Sequence, residues 1–176
     1  METDELVRAG QTGDMDSYIN LIRCREETIY KVARAYTQNS YDAEDCISEA
    51  VIHAYDKLGQ LRRPEKFYPW FMTILVNICR DKYKRMKNEE EYIPVIHDCI
   101  PDTVLKNPDH AIILETIFKH LEQNERDLLA LRYLNDFTLE ETAGILGIPK
   151  GTVKSRLSRT LFKIRSRFGR LFSDEV

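Results

Sequence analysis

The run from Thr138 to Arg159, Thr-Leu-Glu-Glu-Thr-Ala-Gly-Ile-Leu-Gly-Ile-Pro-Lys-Gly-Thr-Val-Lys-Ser-Arg-Leu-Ser-Arg, narrows the fold more than any other stretch of the chain. Thr138 and Glu141 stand at capping-box spacing, in which the threonine oxygen accepts a free backbone N–H and the glutamate reaches back to the cap. A helix is expected to start there. Leu139, Ala143 and Leu146 recur on one helical face beside Ile145, and the small Ala143 leaves room for a second helix to approach closely. Gly147 is placed to end this helix in a left-handed conformation, and Pro149 suits the first turn of the next. The stretch predicts two short helices joined by a tight turn.

The second of these helices divides its residues by side. Val153, Leu157, Leu161, Ile164 and Phe168 recur at three and four residues and predict the packed side. Thr152, Ser155 and Arg159 project from the other, flanked by Lys154, Arg156 and Ser158. Every charged residue from Thr142 to Ser173 is basic, in a chain whose formal net charge is −3. Positive charge interleaved with short hydrogen-bonding side chains suits a helix lying in a DNA major groove. The plainer alternative is a solvated, charged helix on an α-helical domain, but the cap, the turn glycine and the polarised helix together favour DNA.

The chain has 176 residues, enough for one ordinary domain or two small ones, and its 43% hydrophobic content supports packed cores. No apolar run approaches the ~20 residues of a membrane span, and the start Met-Glu-Thr-Asp-Glu is acidic where a signal peptide is basic and then apolar. A cytoplasmic protein with no membrane insertion of its own is expected. Cys24, Cys46, Cys79 and Cys99 are spread without a Cys-x-x-Cys pair and read as buried free thiols. His97, Asp98 and Cys99 hold metal-type donors, yet no second cluster completes a zinc site, so no metal and no cofactor is expected. A chain that is negative overall must make its DNA contacts locally or with the help of a partner, because duplex affinity rests on neutralising phosphates.

Taken in order, the chain opens with a short helix at Asp4 to Arg8, and Asp14 is a good N-cap for the next. Tyr18, Leu21 and Ile22 continue an apolar face that Ile29, Val32, Ala33 and Tyr36 resume. From Tyr41 to Leu58 the pattern is a clear amphipathic helix, with Ala43, Cys46, Ile47, Ala50, Val51, Ala54 and Leu58 on one face. Asp45, Glu49 and Asp56 lie opposite with Ile52 among them, either a solvated face or one that a basic partner surface covers. Gln60 to Lys66, with Arg62 and Arg63, reads as a basic loop. The aromatic entry Phe67-Tyr-Pro-Trp-Phe71 then leads a helix to about Lys87, with Ile74, Leu75 and Ile78 expected to pack inward. Trp70, Thr73, Asn77, Arg80 and Lys84 share a narrower face that can stack an exposed base and hold its backbone, although two or three of the aromatic residues are expected in the core.

Between Asn88 and Asp109 three acidic residues in a row and three prolines interrupt the helical pattern and mark a linker of net negative charge. Beyond it Ile112, Ile113, Thr116, Ile117 and Leu121 predict a helix, Asn124 caps another carrying Leu128, Leu129, Leu131 and Leu134, and Asn135-Asp136 turns the chain into the opening motif. The expected fold is all-α: a helical domain at 1–87, the Pro-containing acidic linker at 88–109, and a second helical domain at 110–176 that ends in the helix-turn-helix.

Three segments in this order carry a resemblance: Asp42-Ala-Glu-Asp45 leading to Ala54-Tyr55, Phe67-Tyr-Pro-Trp70 leading to Asn77-Ile-Cys-Arg-Asp81, and Gly147 to Arg159. Together they resemble the extracytoplasmic-function class of bacterial RNA polymerase sigma factors over nearly the whole chain. The resemblance implies a subunit that binds core RNA polymerase and promoter DNA, commonly held in check by an anti-sigma factor, and no enzyme activity of its own. Residue by residue it implies core-polymerase contact at Asp45, Glu49 and Ile52, with Asp56 on the same face, and −10 recognition at Trp70, Asn77 and Arg80, with Thr73 and Lys84 beside them. Arg62, Arg63 and Lys66 fall at the loop that receives a flipped base. Lys154, Ser155, Arg156, Ser158 and Arg159 fall on the −35 recognition helix, with Thr152 at its start. Cys46-Ile-Ser-Glu-Ala50 departs from the family's usual apolar residue, valine, glutamine and threonine, and Ser158 replaces a larger groove residue of some members. The rival reading is a stand-alone helix-turn-helix regulator, which binds duplex DNA without polymerase.

Overall fold

The computed structural model describes residues 2–37, 39–87, 117, 120–134 and 137–168. The chain forms two compact units, Met1–Tyr92 and Ile93–Val176. Both are helical, with no strand among the described residues. The linker assigned to 88–109, the helical positions Ile112, Ile113 and Thr116, the Asn135-Asp136 turn and Cys99 lie outside the described residues.

In the first unit, helices α1 (Thr3–Gln11), α2 (Met15–Arg23) and α3 (Glu26–Arg34) lead to the long α4 (Ser40–Lys57) and α5 (Phe67–Lys87). Asp14 caps α2 through its carboxylate, which accepts the Asp16 and Ser17 N–H groups, and the Asn39 side chain caps α4 by accepting from Asp42 N–H at 2.8 Å. Ala43, Cys46, Ala50 and Ala54 are buried along α4, and this stripe of small side chains seats α5 against it. Tyr18 fills the space beyond. It is 1% exposed, lies edge-on to Phe67, and donates its hydroxyl to the Val51 carbonyl at 2.6 Å. Burial, with the Asp56 carboxylate as a smaller contribution, pushes its phenol well above the ordinary tyrosine value. Gly10 sits so close to this cluster that a Cβ there would meet Leu58 Cδ2 at 3.0 Å and Tyr18 Cβ at 3.4 Å.

Two expectations for this unit are corrected. Ile74 and Ile78 are only half-buried, and α5 instead turns Phe67, Phe71, Met72, Leu75, Val76, Cys79 and Tyr83 inward. The inward face is wider than one stripe because α5 packs on both α3 and α4. Cys24, expected to be buried, is exposed at the C-cap of α2, while Cys46 and Cys79 are buried free thiols.

A single lysine clasps the two long helices. Lys82 on α5 reaches Asp42 at 2.9 Å and Asp45 at 2.7 Å on α4. Burial works to lower its pKa, but the hydrogen bonds it donates to Asp45 and Asp42 outweigh this and the ammonium is held above the ordinary lysine value of 10.5. The stabilisation is therefore present below that ordinary value and is lost as pH rises through the higher folded one.

In the second unit, α6 (Gln123–Leu129) begins at Glu122, not at the predicted Asn124. The Glu125 carboxylate accepts the Glu122 backbone N–H at 2.8 Å, so the reciprocal cap forms two residues earlier and Asn124 falls inside the first turn. A π-helical segment, Ala130–Leu134, precedes the helix-turn-helix formed by α7 (Leu139–Leu146) and α8 (Lys150–Phe168). The capping box is as predicted: Thr138 Oγ1 accepts from Glu141 N–H at 3.2 Å, and Glu141 accepts from Thr138 N–H at 2.9 Å. Gly147 has φ +66°, and the Ile148 N–H closes back on the Ala143 carbonyl at 3.1 Å. Pro149 lies one residue outside α8, where its carbonyl accepts the Thr152 and Val153 N–H groups, so it serves as the cap and not in the first turn. The core joins Ile117, Leu121, Leu128 and Leu129 to Val153, Leu157 and Phe168. Leu161, predicted to join it, is 39% exposed, and Thr160 takes the inner position at 2%. Thr160 follows Leu157 by three residues and precedes Ile164 by four, which keeps it nearer the middle of the buried stripe.

Three substitutions test these packing assignments. Gly147→Ala forces a side chain into a left-handed backbone and should cost about 1–2 kcal/mol in denaturant unfolding. Gly144→Ala, within α7 and with open space around its Cβ, should add up to about 1 kcal/mol instead. Lys82→Met should lower the stability of the first unit by about 1 kcal/mol at pH 7, the scale of a partly exposed ion-pair cluster, with a smaller difference in high salt.

Candidate nucleic-acid interfaces

On α8 the face opposite the core carries the residues predicted to touch DNA. Lys154, Ser155, Ser158 and Arg159 are exposed, and Thr152 is half-buried at the start of the helix. Ser155 donates its hydroxyl to the Thr152 carbonyl at 3.1 Å, and Arg159 Nε donates to the Ser155 carbonyl at 3.3 Å, which lays the guanidinium along the helix. Arg156 is half-buried and turns to the flank facing α6. There it lines a cleft of about 350 Å³ with Arg159, Thr160, Lys163 and Asn124, and Lys163 is paired to Glu125 at 2.7 Å. The basic set thus splits into an outward group and a side group. α8 itself contains no acidic residue, so no side chain of the helix would repel a phosphate.

In the first unit α5 presents Trp70, Thr73, Asn77, Arg80 and Lys84 along one flank, a span of about 21 Å of helix. Asn77 and Lys84 are exposed, while Trp70, Thr73 and Arg80 are half-buried. Trp70 packs one side on Phe67, with ring centroids 6.1 Å apart, and keeps part of its surface available for stacking. Thr73 spends its hydroxyl proton on the Pro69 carbonyl at 2.9 Å, so it offers only an acceptor and a methyl group. Phe67 and Phe71 are fully buried and Tyr68 is half-buried, its hydroxyl donating to the Leu21 carbonyl at 3.0 Å.

The loop before α5 is built, not loose. Two short 3-10 turns, Leu58–Gln60 and Pro64–Lys66, bracket it, and Gln11 donates to the Leu58 and Leu61 carbonyls at 3.0 and 2.9 Å. Arg62 and Lys66 are exposed; Arg63 is exposed as well and pairs with Glu65 at 2.7 Å. That contact holds the Glu65 carboxyl below the usual range and reduces what Arg63 offers to a phosphate.

On α4, Asp45, Glu49, Ile52 and Asp56 are all exposed, which fits a solvated face as well as one that a partner covers, and Ile52 is 62% exposed. Asp45 is already engaged by Lys82, a partner no periodicity could reveal. Tyr41, at the start of the same helix, is 79% exposed, and a residue at a helix boundary has no periodic neighbours to mark its face. Ile19, Ile22, Ile29, Ile47 and Val51 line a groove of about 1060 Å³ between α2, α3 and α4, with Cys24 at its rim. Among the described residues no group of three or more His, Cys, Asp or Glu side chains is placed to hold a metal, and no helix is long and apolar enough to cross a membrane.

Two family matches fall in sequence along the chain. The Sigma-70 region 2 family matches residues 21–89, and the Sigma-70 region 4 family matches residues 117–166. The ECF RNA polymerase sigma factor SigM of Mycobacterium tuberculosis strain H37Rv is 27% identical over 172 residues, covering 95% of this chain and 83% of SigM. The ECF RNA polymerase sigma factor SigW of Bacillus subtilis is 25% identical over 169 residues, covering 87% of this chain and 89% of SigW. The solved structure of CnrH in complex with the cytosolic domain of CnrY shares the fold, with a TM-score of 0.72 over 98% of both chains at 19% identity. With a region 2 and a region 4 in order on one chain, and relatives of one class along most of its length, the protein belongs to the extracytoplasmic-function class of sigma-70 factors, alternative sigma factors that direct promoter-specific transcription.

Proposed function

We propose that the two units divide promoter recognition between them: α8 docks on duplex DNA at the −35 element, and the flank of α5 captures unstacked −10 bases. The observation that carries this reading is the outer face of α8, where Lys154, Ser155, Ser158 and Arg159 stand exposed on a capped helix without a single acidic residue. Duplex contact fixes position. Trp70 then supplies a stacking surface, and Asn77, Arg80 and Lys84 follow the displaced strand, with Arg62 and Lys66 at the loop beside a flipped base. Unstacking and unpairing cost a few kcal/mol, and stacking at about 1–3 kcal/mol per base offsets this without nucleotide hydrolysis. The protein itself performs no catalysis on this reading, and its −10 and −35 contacts are reached in the cytoplasm as part of the polymerase.

The acidic face of α4, with Ile52 as its apolar anchor, binds core polymerase. Asp45, Glu49 and Asp56 surround an exposed aliphatic side chain, the arrangement of an interface whose apolar centre is ringed by charge. The net charge of −3 makes this division of labour necessary, because the chain alone carries too little positive charge to hold duplex DNA at physiological salt. An anti-sigma partner is expected to mask the Ile52 and α8 surfaces. CnrH was solved bound to the cytosolic domain of another protein, CnrY, which supports regulation by a protein partner.

The decisive experiment is run-off transcription with core polymerase on a genomic promoter library. Specific starts that require both core enzyme and this protein are expected; a footprint by the protein alone that gains nothing from core would establish the stand-alone regulator instead. Replacing Lys154, Ser155 and Arg159 together by alanine should lower −35-dependent initiation at least about tenfold, the effect of losing one good base contact. Trp70→Ala should leave the closed complex formed and cut the open complex about tenfold, read by permanganate footprinting of unpaired thymines. Ile52→Asp should weaken core binding by about 2 kcal/mol or more without changing the melting temperature, since Ile52 is exposed in the free protein.

A further inference from the structure

Phe162 is 74% exposed, an aromatic ring standing in water on the second unit's basic helix. Nine residues beyond Val153, at about 100° per residue, it lies on the side of α8 directly away from the core. It belongs neither to the buried stripe of Val153, Leu157, Thr160, Ile164 and Phe168 nor to its edge. It continues the outer face instead. Ser155 precedes it by seven residues and Arg159 by three, spacings that stack side chains on one face. Ser158 and Arg165, four residues before and three after, flank it and are exposed.

We propose that Phe162 is a sequence-reading residue, packing its ring on the 5-methyl group of a thymine in the major groove at the far end of the upstream element. The proposal rests on the placement of α8 in that groove. Two features select duplex DNA as the occupant. Exposed Arg159 and Arg165 stand three residues before and three after the ring, and α8 offers no carboxylate, which matches a polyanion. Within the major groove the thymine methyl is the one apolar group that marks a base pair, and a phenyl ring is among the side chains suited to it. From Thr152 to Phe162 the helix advances ten residues, about 15 Å, so Phe162 reads base pairs that the first turn cannot reach. Exposure of the ring in the free protein is then the cost of a contact made only on DNA.

The test uses holoenzyme reconstituted from core polymerase and the full chain, on a promoter it transcribes, with each thymine of the −35 element replaced in turn by deoxyuridine. For the wild type, removal of one methyl should lower initiation about fourfold at a single position, the scale of one buried methyl. Phe162→Ala should abolish that sensitivity and lower initiation on the thymine promoter by a similar factor. Phe162→Leu should restore part of both. An unchanged deoxyuridine profile in Phe162→Ala would overturn the proposal, as would a wild type indifferent to every substitution. A loss of core affinity in Phe162→Ala would also overturn it, by assigning the ring to a protein contact. Failure of the wild type to initiate at any promoter would instead remove the reading of α8 on which the proposal stands.

Discussion

Close packing of α4 on α5 is the constraint from which the first unit's surfaces follow. Ala43, Cys46, Ala50 and Ala54 keep α4 narrow on its inner side, and Phe67, Phe71, Leu75 and Cys79 fill the space that results. Because both helices commit one side to this contact, each has an opposite side left for other work. For α4 that side is acidic with Ile52 at its centre; for α5 it is the flank from Trp70 to Lys84. Lys82 then ties the two through Asp42 and Asp45, so the face proposed for polymerase and the helix proposed for the melted strand are joined by charge as well as by packing.

The second unit solves a different problem, holding a basic helix out toward a polyanion while keeping it folded. Its means are local. The Thr138–Glu141 cap starts α7, Gly147 turns the backbone, and the Pro149 carbonyl receives the first N–H groups of α8. Since these devices satisfy the helix ends without using the outer side chains, Lys154, Ser155, Ser158 and Arg159 remain free of packing duty. Charge is the complement of this economy. A chain of net charge −3 carries only basic charges on one helix and acidic ones along the outer face of another, so that each surface suits a different partner.

Much of the fold was legible because short-range chemistry wrote it. Asp14 and Thr138 cap helices by accepting from N–H groups two and three residues on, and the periodic runs of α4 and α8 mark their buried sides. The errors cluster where two neighbours compete for a position. Thr160 displaced Leu161 because the stripe drifts along the helix, so the position nearer its centre is buried even when it is polar. Ile74 and Ile78 yielded to Met72, Val76 and Cys79 because a helix packed on two others buries more than one stripe. Glu122 took the cap from Asn124 because a glutamate three residues on completed a reciprocal pair.

The sequence by itself determined that the chain is helical with caps at Asp14 and Thr138, that one helix is basic on its outer side, and that three family segments follow in order, because caps, periodicity and charge are properties of neighbouring residues. Tertiary structure alone decided that Asp45 answers to Lys82 thirty-seven positions away, that Arg156 turns to the flank beside α6 while Arg159 also reaches the outer face, and that Phe162 stands exposed. Those outcomes depend on which helix packs beside which, and residues far apart in the chain meet only when it has folded.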